Sequence, residues 1–177
     1  MLVDSHCHID FPELYENLSQ ILKRADAASV GYLLCVSVNL ADLGNIINIT
    51  RRHANVFATA GVHPNHDQGI IESPTCLDLT EAAANPDVVA VGETGLDYYR
   101  SEGDLGWQKN RFRRHIQISR DLGKPLIIHT RHAKKDTISI MREEGASDVR
   151  GVMHCFSEDW PTAKTALDMG FYRSEER

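Results

Sequence analysis

Short apolar runs alternate with amphipathic stretches along this whole chain, and that alternation limits what it can fold into. Residues 32–37, 56–62, 88–93, 125–130 and 151–156 are almost continuously apolar. Runs of this kind suit strands buried on both faces, as in a parallel sheet covered by helices. Between them the apolar residues recur every three or four positions. Leu14, Leu18, Ile21, Leu22 and Ala25 predict a helix over 13–28, and Leu43, Ile46, Ile47 and Ile49 predict one ending near His53. Further helices are predicted over 76–84, 105–122, 133–144 and 161–169, the second with Phe112, Ile116 and Ser119 on one face. Gly31, Gly123, Gly145, Gly170 and Pro86 punctuate the pattern. Residues 2–8 read as a first strand with Val3 buried, and Phe171 and Tyr172 begin a seventh apolar segment. Residues 65–75, with His66, Asp67, Gly69 and Pro74, read as a polar loop, and 94–100 as a polar and aromatic one.

Strict strand-helix alternation is the signature of an α/β fold with a parallel sheet. Two closures fit, a doubly wound open sheet and a (β/α)8 barrel. No Gly-x-Gly-x-x-Gly follows the first strand, which weakens the first. Polar groups recur at the C-terminal end of strand after strand, where barrel active sites lie. The expected fold is therefore a TIM-like (β/α)8 barrel forming a single domain over residues 1–172, followed by a charged stretch, 173–177. A complete barrel takes about 200 residues or more. The 177 residues supply six clear β/α units and the start of a seventh, so the barrel is expected to be incomplete. In a closed barrel the first strand pairs with the eighth. If the 177 residues are the whole polypeptide, the first strand keeps an open edge. The chain is then expected to be weakly stable or to associate, and to bind ions more weakly at His6 and His8 than at His129 and His154.

The strand ends carry the chemistry. In extended chain alternate side chains point the same way, so His6 and His8 can face one point. The third strand ends in His63, the fourth in Glu93 and then Asp97, the fifth in His129 and Arg131, and the sixth in His154. Imidazoles around a carboxylate suit zinc, manganese or another borderline divalent ion, and magnesium with more water. Glu93 is placed to bridge two such ions, one held by His6 and His8, the other by His129 and His154. Two ions about 3.5–4 Å apart suit hydrolysis through an activated water. No Ser-His-Asp or Cys-His arrangement competes.

Composition narrows the setting. A net charge of −6 disfavours a broad basic surface that coats nucleic acid, but not an enzyme that meets phosphate locally. Cys7, Cys35, Cys76 and Cys155 show no C-x-x-C spacing and read as free, mostly buried thiols. With no bilayer-length apolar run and no signal-peptide pattern, the chain reads as soluble and cytoplasmic. Other features admit plainer readings. His115 reads as a core or surface histidine, His53 as a helix-end residue, and His66 as a loop residue. Arg111, Arg113 and Arg114 read as a solvated helix face. Tyr98 and Tyr99 either stack on a base or pack the loop, and Asp97 serves either the site or its turn.

Five phrases together identify a relationship: Asp4-Ser5-His6-Cys7-His8; Gly61-Val62-His63-Pro64; Gly92-Glu93-Thr94-Gly95-Leu96-Asp97-Tyr98-Tyr99; Lys124-Pro125-Leu126-Ile127-Ile128-His129-Thr130-Arg131; and His154-Cys155-Phe156. From Leu2 to about Tyr172 the sequence resembles the TatD family of metal-dependent deoxyribonucleases, within the amidohydrolase-like metallo-dependent hydrolases. The resemblance implies a TIM-like barrel, two divalent ions (Mg, Mn or Zn), and hydrolysis of DNA phosphodiesters, commonly from a single-stranded or frayed end. It implies His6, His8 and Glu93 at one ion and Glu93, His129 and His154 at the other, with Glu93 the catalytic centre. His63, Asp97 and Arg131 then become substrate-side residues. Family members continue through two more strands, the last bringing an aspartate to the first ion. His132 stands where many relatives carry an acidic residue. Alternatives are a related hydrolase of an amide, lactone or ester, or a fragment that keeps the histidines without activity. The first of these often has a bridging lysine where this chain has Glu93.

Overall fold

A computed structural model describes residues 1–66 and 76–175. Most of the predicted 65–75 loop, including Asp67, Gly69 and Pro74, lies outside the described residues, as do the Cys76 side chain and residues 176–177. Seven strands form one sheet: β1 (Leu2–Cys7), β2 (Val30–Cys35), β3 (Val56–Ala60), β4 (Val88–Asp97), β5 (Leu126–Arg131), β6 (Gly151–Met153) and β7 (Phe171–Arg173). All neighbouring pairs are parallel, and the order is sequential from β1 to β7. A doubly wound sheet must reverse its strand order at a switch point; this one never does.

The sheet also curls. β1 and β6 are five steps apart, which on a flat sheet is about 24 Å. Yet the rings of His6 on β1 and His154 just past β6 stack with centroids 3.8 Å apart. The strands bend round until their C-terminal ends share one mouth, as in a barrel that these seven strands leave open between β1 and β7. Arg173 belongs to β7, and the Ser174 main chain continues its pairing with a bond to Met153.

Helices α1 (Pro12–Tyr15), α2 (Leu18–Ala27), α3 (Leu43–Thr50), α4 (Cys76–Ala84), α5 (Gly106–Leu122), α6 (Lys134–Glu143) and α7 (Trp160–Asp168) connect the strands. The helix predicted over 13–28 is two helices. Asn17 leaves helical geometry, with φ −112° and ψ 17°, and separates the two. The core is continuous. Cys35, Ala58, Val91, Leu126, Ile128 and Met153 from the strands pack with Ile46, Phe112, Ile116 and Met141 from the helices, all nearly excluded from solvent.

Two further expectations are corrected. Val3 is not buried: it is 62% exposed, because among the described residues β1 pairs only with β2. Residues 94–97 are not a loop. They extend β4, with Thr94, Gly95, Leu96 and Asp97 registered against Ile128, His129, Thr130 and Arg131 of β5. Glu93 is thus inside a strand rather than at its end. Glu93, Gly95 and Asp97 share one face by the period of two. Gly95 has φ 140°, and a Cβ there would collide with the His129 carbonyl; only glycine lets β5 come this close between the two carboxylates.

Candidate metal centre

The mouth of the curled sheet is a cavity of about 1060 Å³, whose lining includes His6, His8, His63, Glu93, Asp97, His129, Arg131 and His154. Every candidate residue read from the sequence reaches it. Arg100 and Asn65 line it too; the sequence offered no signal for either.

Glu93 is the centre, only 2% exposed. Its Oε1 lies 2.5 Å from His154 Nε2, 3.1 Å from His129 Nδ1 and 3.6 Å from His63 Nε2. Its Oε2 lies 3.3 Å from His6 Nε2. Burial by itself would raise the pKa of this carboxyl. Hydrogen bonds from His129, His154 and His6 outweigh burial and hold it well below the usual carboxylate range. Glu93 is therefore an anion in a ring of nitrogens. Two sets of donor atoms each lie within 4.8 Å of one another: His6, Glu93 and His154; and His63, Glu93 and His129. His129 Nδ1 and His154 Nε2 are themselves 3.2 Å apart, so His154 stands beside both sets.

The hydrogen-bond network assigns the neutral ring forms. His8 Nδ1 lies 3.0 Å from the Val36 carbonyl oxygen, so Nδ1 carries the hydrogen and donates. Its Nε2 then offers a lone pair into the cavity, 3.2 Å from His6 Nε2. Burial, reinforced by His6, lowers the His8 pKa, which keeps the ring in the form that ligates. His63 is arranged the opposite way. Its Nδ1 accepts the Asn65 main-chain N–H at 3.1 Å, so Nε2 carries the hydrogen and faces the cavity as a donor. Burial holds its pKa down to about 4, so it stays neutral near pH 7. Asp97 Oδ2 lies 3.2 Å from His129 Nε2 and accepts from Asn65 Nδ2 at 2.8 Å. Its Oδ1 accepts the N–H groups of Tyr99 and Arg100. Burial would raise its pKa, but these bonds lower it. Asp97 thus serves the turn and the site together.

This donor set fits a divalent cation. Imidazole nitrogens of two facing histidines, His6 and His8, converge where two lone pairs cannot meet without a proton or an ion between them, and the adjacent carboxylate supplies the charge. The other polar candidates resolve separately. The Arg131 guanidinium lies 3.9 Å from the centre of the exposed Tyr99 ring. Tyr98 instead donates its hydroxyl hydrogen to Asp136 at 2.7 Å; burial, with Asp136, raises its pKa. Arg111 is not on a solvated face. It is 3% exposed, because positions 111, 113 and 114 point different ways round α5; Arg113 reaches outward to Glu143 and Glu144.

The model of the family described as TatD related DNase matches residues 3–176. The chain belongs to this family. A relative, the uncharacterized metal-dependent hydrolase YcfH of Escherichia coli K12, is 43% identical over 98% of this chain and 65% of its own length. The 3'-5' ssDNA/RNA exonuclease TatD of Erwinia tasmaniensis is 27% identical over 97% of this chain and 66% of its own. The chain thus spans about 65% of the length of YcfH. The solved structure of YJJV, a TatD homolog from Escherichia coli K12, superposes with a TM-score of 0.84 over 97% of this chain and 66% of that one, at 24% identity. At that identity the likeness carries the fold, and it agrees with the sequential, curled sheet. Among the described residues no helix is long and apolar enough to cross a membrane.

Proposed function

We propose that this chain carries the metal centre of a hydrolase that cleaves DNA phosphodiester bonds, working from a single-stranded end with two divalent ions, magnesium, manganese or zinc. The observation that carries the reading is Glu93, a buried anion within 3.6 Å of four imidazole nitrogens. His6, His8, Glu93, His129 and His154 would hold the ions. Bound ions of this kind supply Lewis acidity, polarising a phosphoryl oxygen and making water nucleophilic at neutral pH. The chain's own residues orient and neutralise the substrate. His63 offers its Nε2 hydrogen to a phosphoryl oxygen, and Asp97 holds the His129 ring. Arg131, stacked on Tyr99, and Arg100 bring positive charge to the rim of an otherwise acidic protein. The Erwinia relative's name, a 3'-5' exonuclease of ssDNA and RNA, supports the substrate class.

The test is cleavage of end-labelled single-stranded and duplex DNA with added magnesium or manganese, each end followed separately. Cleavage of the single strand that chelator abolishes is expected. Turnover of a lactone or amide panel with none of DNA would move the protein to the amidohydrolase-type reading.

A further inference from the structure

One face of α5 carries Gln108, Arg111 and His115, spaced three and four residues apart and so stacked on one side of the helix. All three are buried, at 0%, 3% and 0% exposure. A helix face packed on a sheet is ordinarily apolar, and buried polar groups cost stability unless every one is bonded. These three are bonded, and among the described residues most of their hydrogen-bond partners lie in the two segments that deliver His63 and Asp97. Gln108 Oε1 accepts the Asp97 N–H at 3.0 Å, and its Nε2 donates to the Asp97 carbonyl at 3.3 Å and to Ser101 at 2.7 Å. Arg111 donates to the carbonyls of His63 and His66 at 3.3 and 2.8 Å. His115 Nε2 accepts the N–H of Val62, next to His63, at 3.1 Å, while its Nδ1 donates to the Arg111 carbonyl at 2.8 Å. None of the three side chains lines the cavity.

We propose that Gln108, Arg111 and His115 are positioning residues: a buried polar spine on α5 that sets the main chain bearing His63 and Asp97. β3 ends at Ala60; beyond it the His63 N–H still bonds the Val38 carbonyl at 2.9 Å, and the spine adds bonds to the Val62 N–H and the His63 carbonyl. His6, His8, His129 and His154 receive no hydrogen bond from α5 among the described residues. The proposal rests on the reading of His63 and Asp97 as substrate-side groups.

The test compares His115→Leu, which removes both bonds, with His115→Gln, whose amide can accept from Val62 and donate to Arg111. Gln108→Met probes the Asp97 arm and stands in if His115→Leu does not fold. In metal-free protein the ring ¹⁵N resonances of His63, assigned with His63→Gln, report its tautomer and surroundings. We expect His115→Leu to shift the His63 resonances and His115→Gln to restore them, with those of His6 and His154 unmoved. Manganese content should equal that of the parent chain. Turnover of single-stranded DNA should fall about tenfold to a hundredfold, as a displacement of about 1 Å remote from the chemistry allows, with kcat carrying the loss. For Gln108→Met the shifts should appear at the His129 ring, which Asp97 contacts. Unchanged resonances in the folded variants, or manganese content falling in step with thermal stability, would overturn the proposal. If the parent chain cleaves no DNA, the proposed function fails while the resonance comparison still decides the spine.

Discussion

β4 and β1 both bring ligand-type side chains to the same cavity, yet they are held in opposite ways. β4 lies between β3 and β5, with α5 packed over it, and Glu93, Thr94, Leu96 and Asp97 are at most 2% exposed. β1 has one neighbour among the described residues, and Leu2 and Val3 are each 62% exposed. The charge of the site sits where the chain is most enclosed. Its first two imidazoles sit on an edge. A buried carboxylate needs fixed donors around it, since an unpaired one is costly in low dielectric. Histidines at an edge tolerate more freedom.

If the centre dominates, Glu93→Gln should have the largest effect of any single change. Removing the anion common to both donor sets should reduce bound divalent ion to near nothing, an affinity loss of about a hundredfold or more. His6→Ala should leave measurable ion at the other set. Metal analysis of chelator-free preparations checks this, and equal losses in the two variants would break the contrast between centre and edge.

Packing should follow the same division. Leu96→Ala opens a cavity at a wholly buried position of β4 and should cost about 2–5 kcal/mol, whereas Val3→Ala on the open edge should stay within about 0.5 kcal/mol. Urea titrations of both variants measure the gap, and similar losses would show that β1 is covered in solution.

His115 supports the centre in a pH-dependent way. Its ordinary pKa is 6.5, and burial holds the folded value down to about 4. Between those values the unfolded chain binds more protons, so stability must rise with pH through that window. The contribution is full above pH 6.5 and is lost as pH falls towards 4, about 3 kcal/mol in all. The difference in unfolding free energy between the parent chain and His115→Gln, followed from pH 7.5 to 4.5, should shrink accordingly. A constant difference would mean that His115 is hydrated.

The smallest expected effect is at Tyr98, where β4 is tied to α6. Tyr98→Phe removes the hydroxyl bond to Asp136 and should cost about 1 kcal/mol. A loss no greater than that of a surface substitution would show the tie to be dispensable.

The alternation of apolar runs made the parallel α/β sheet legible, and glycine and proline punctuation located nearly every strand. His6, His8, His63, His129 and His154 were readable because a parallel sheet sends every strand end to the same side, and the joint motifs pointed to the family. The extension of β4 was hidden because Thr94, Gly95 and Asp97 look like a turn until β5 supplies the pairing that makes them a strand. Val3 looked buried because burial depends on a neighbour that residue type cannot report. Gln108 and Arg111 were hidden for the converse reason, since long polar side chains belong on surfaces unless particular carbonyls wait for them.

Local sequence, through side-chain periodicity and backbone preference, determined the elements and the kinds of ligand atom at their ends. Only the tertiary structure decided how those atoms meet. The curl of the sheet brings His154 onto His6 across five strands. Partners far along the chain, Val36 for His8 and the α5 spine behind Val62 and His63, then set which nitrogen faces the cavity and where it sits. Hydrogen-bond geometry depends on distances that no spacing along the chain encodes.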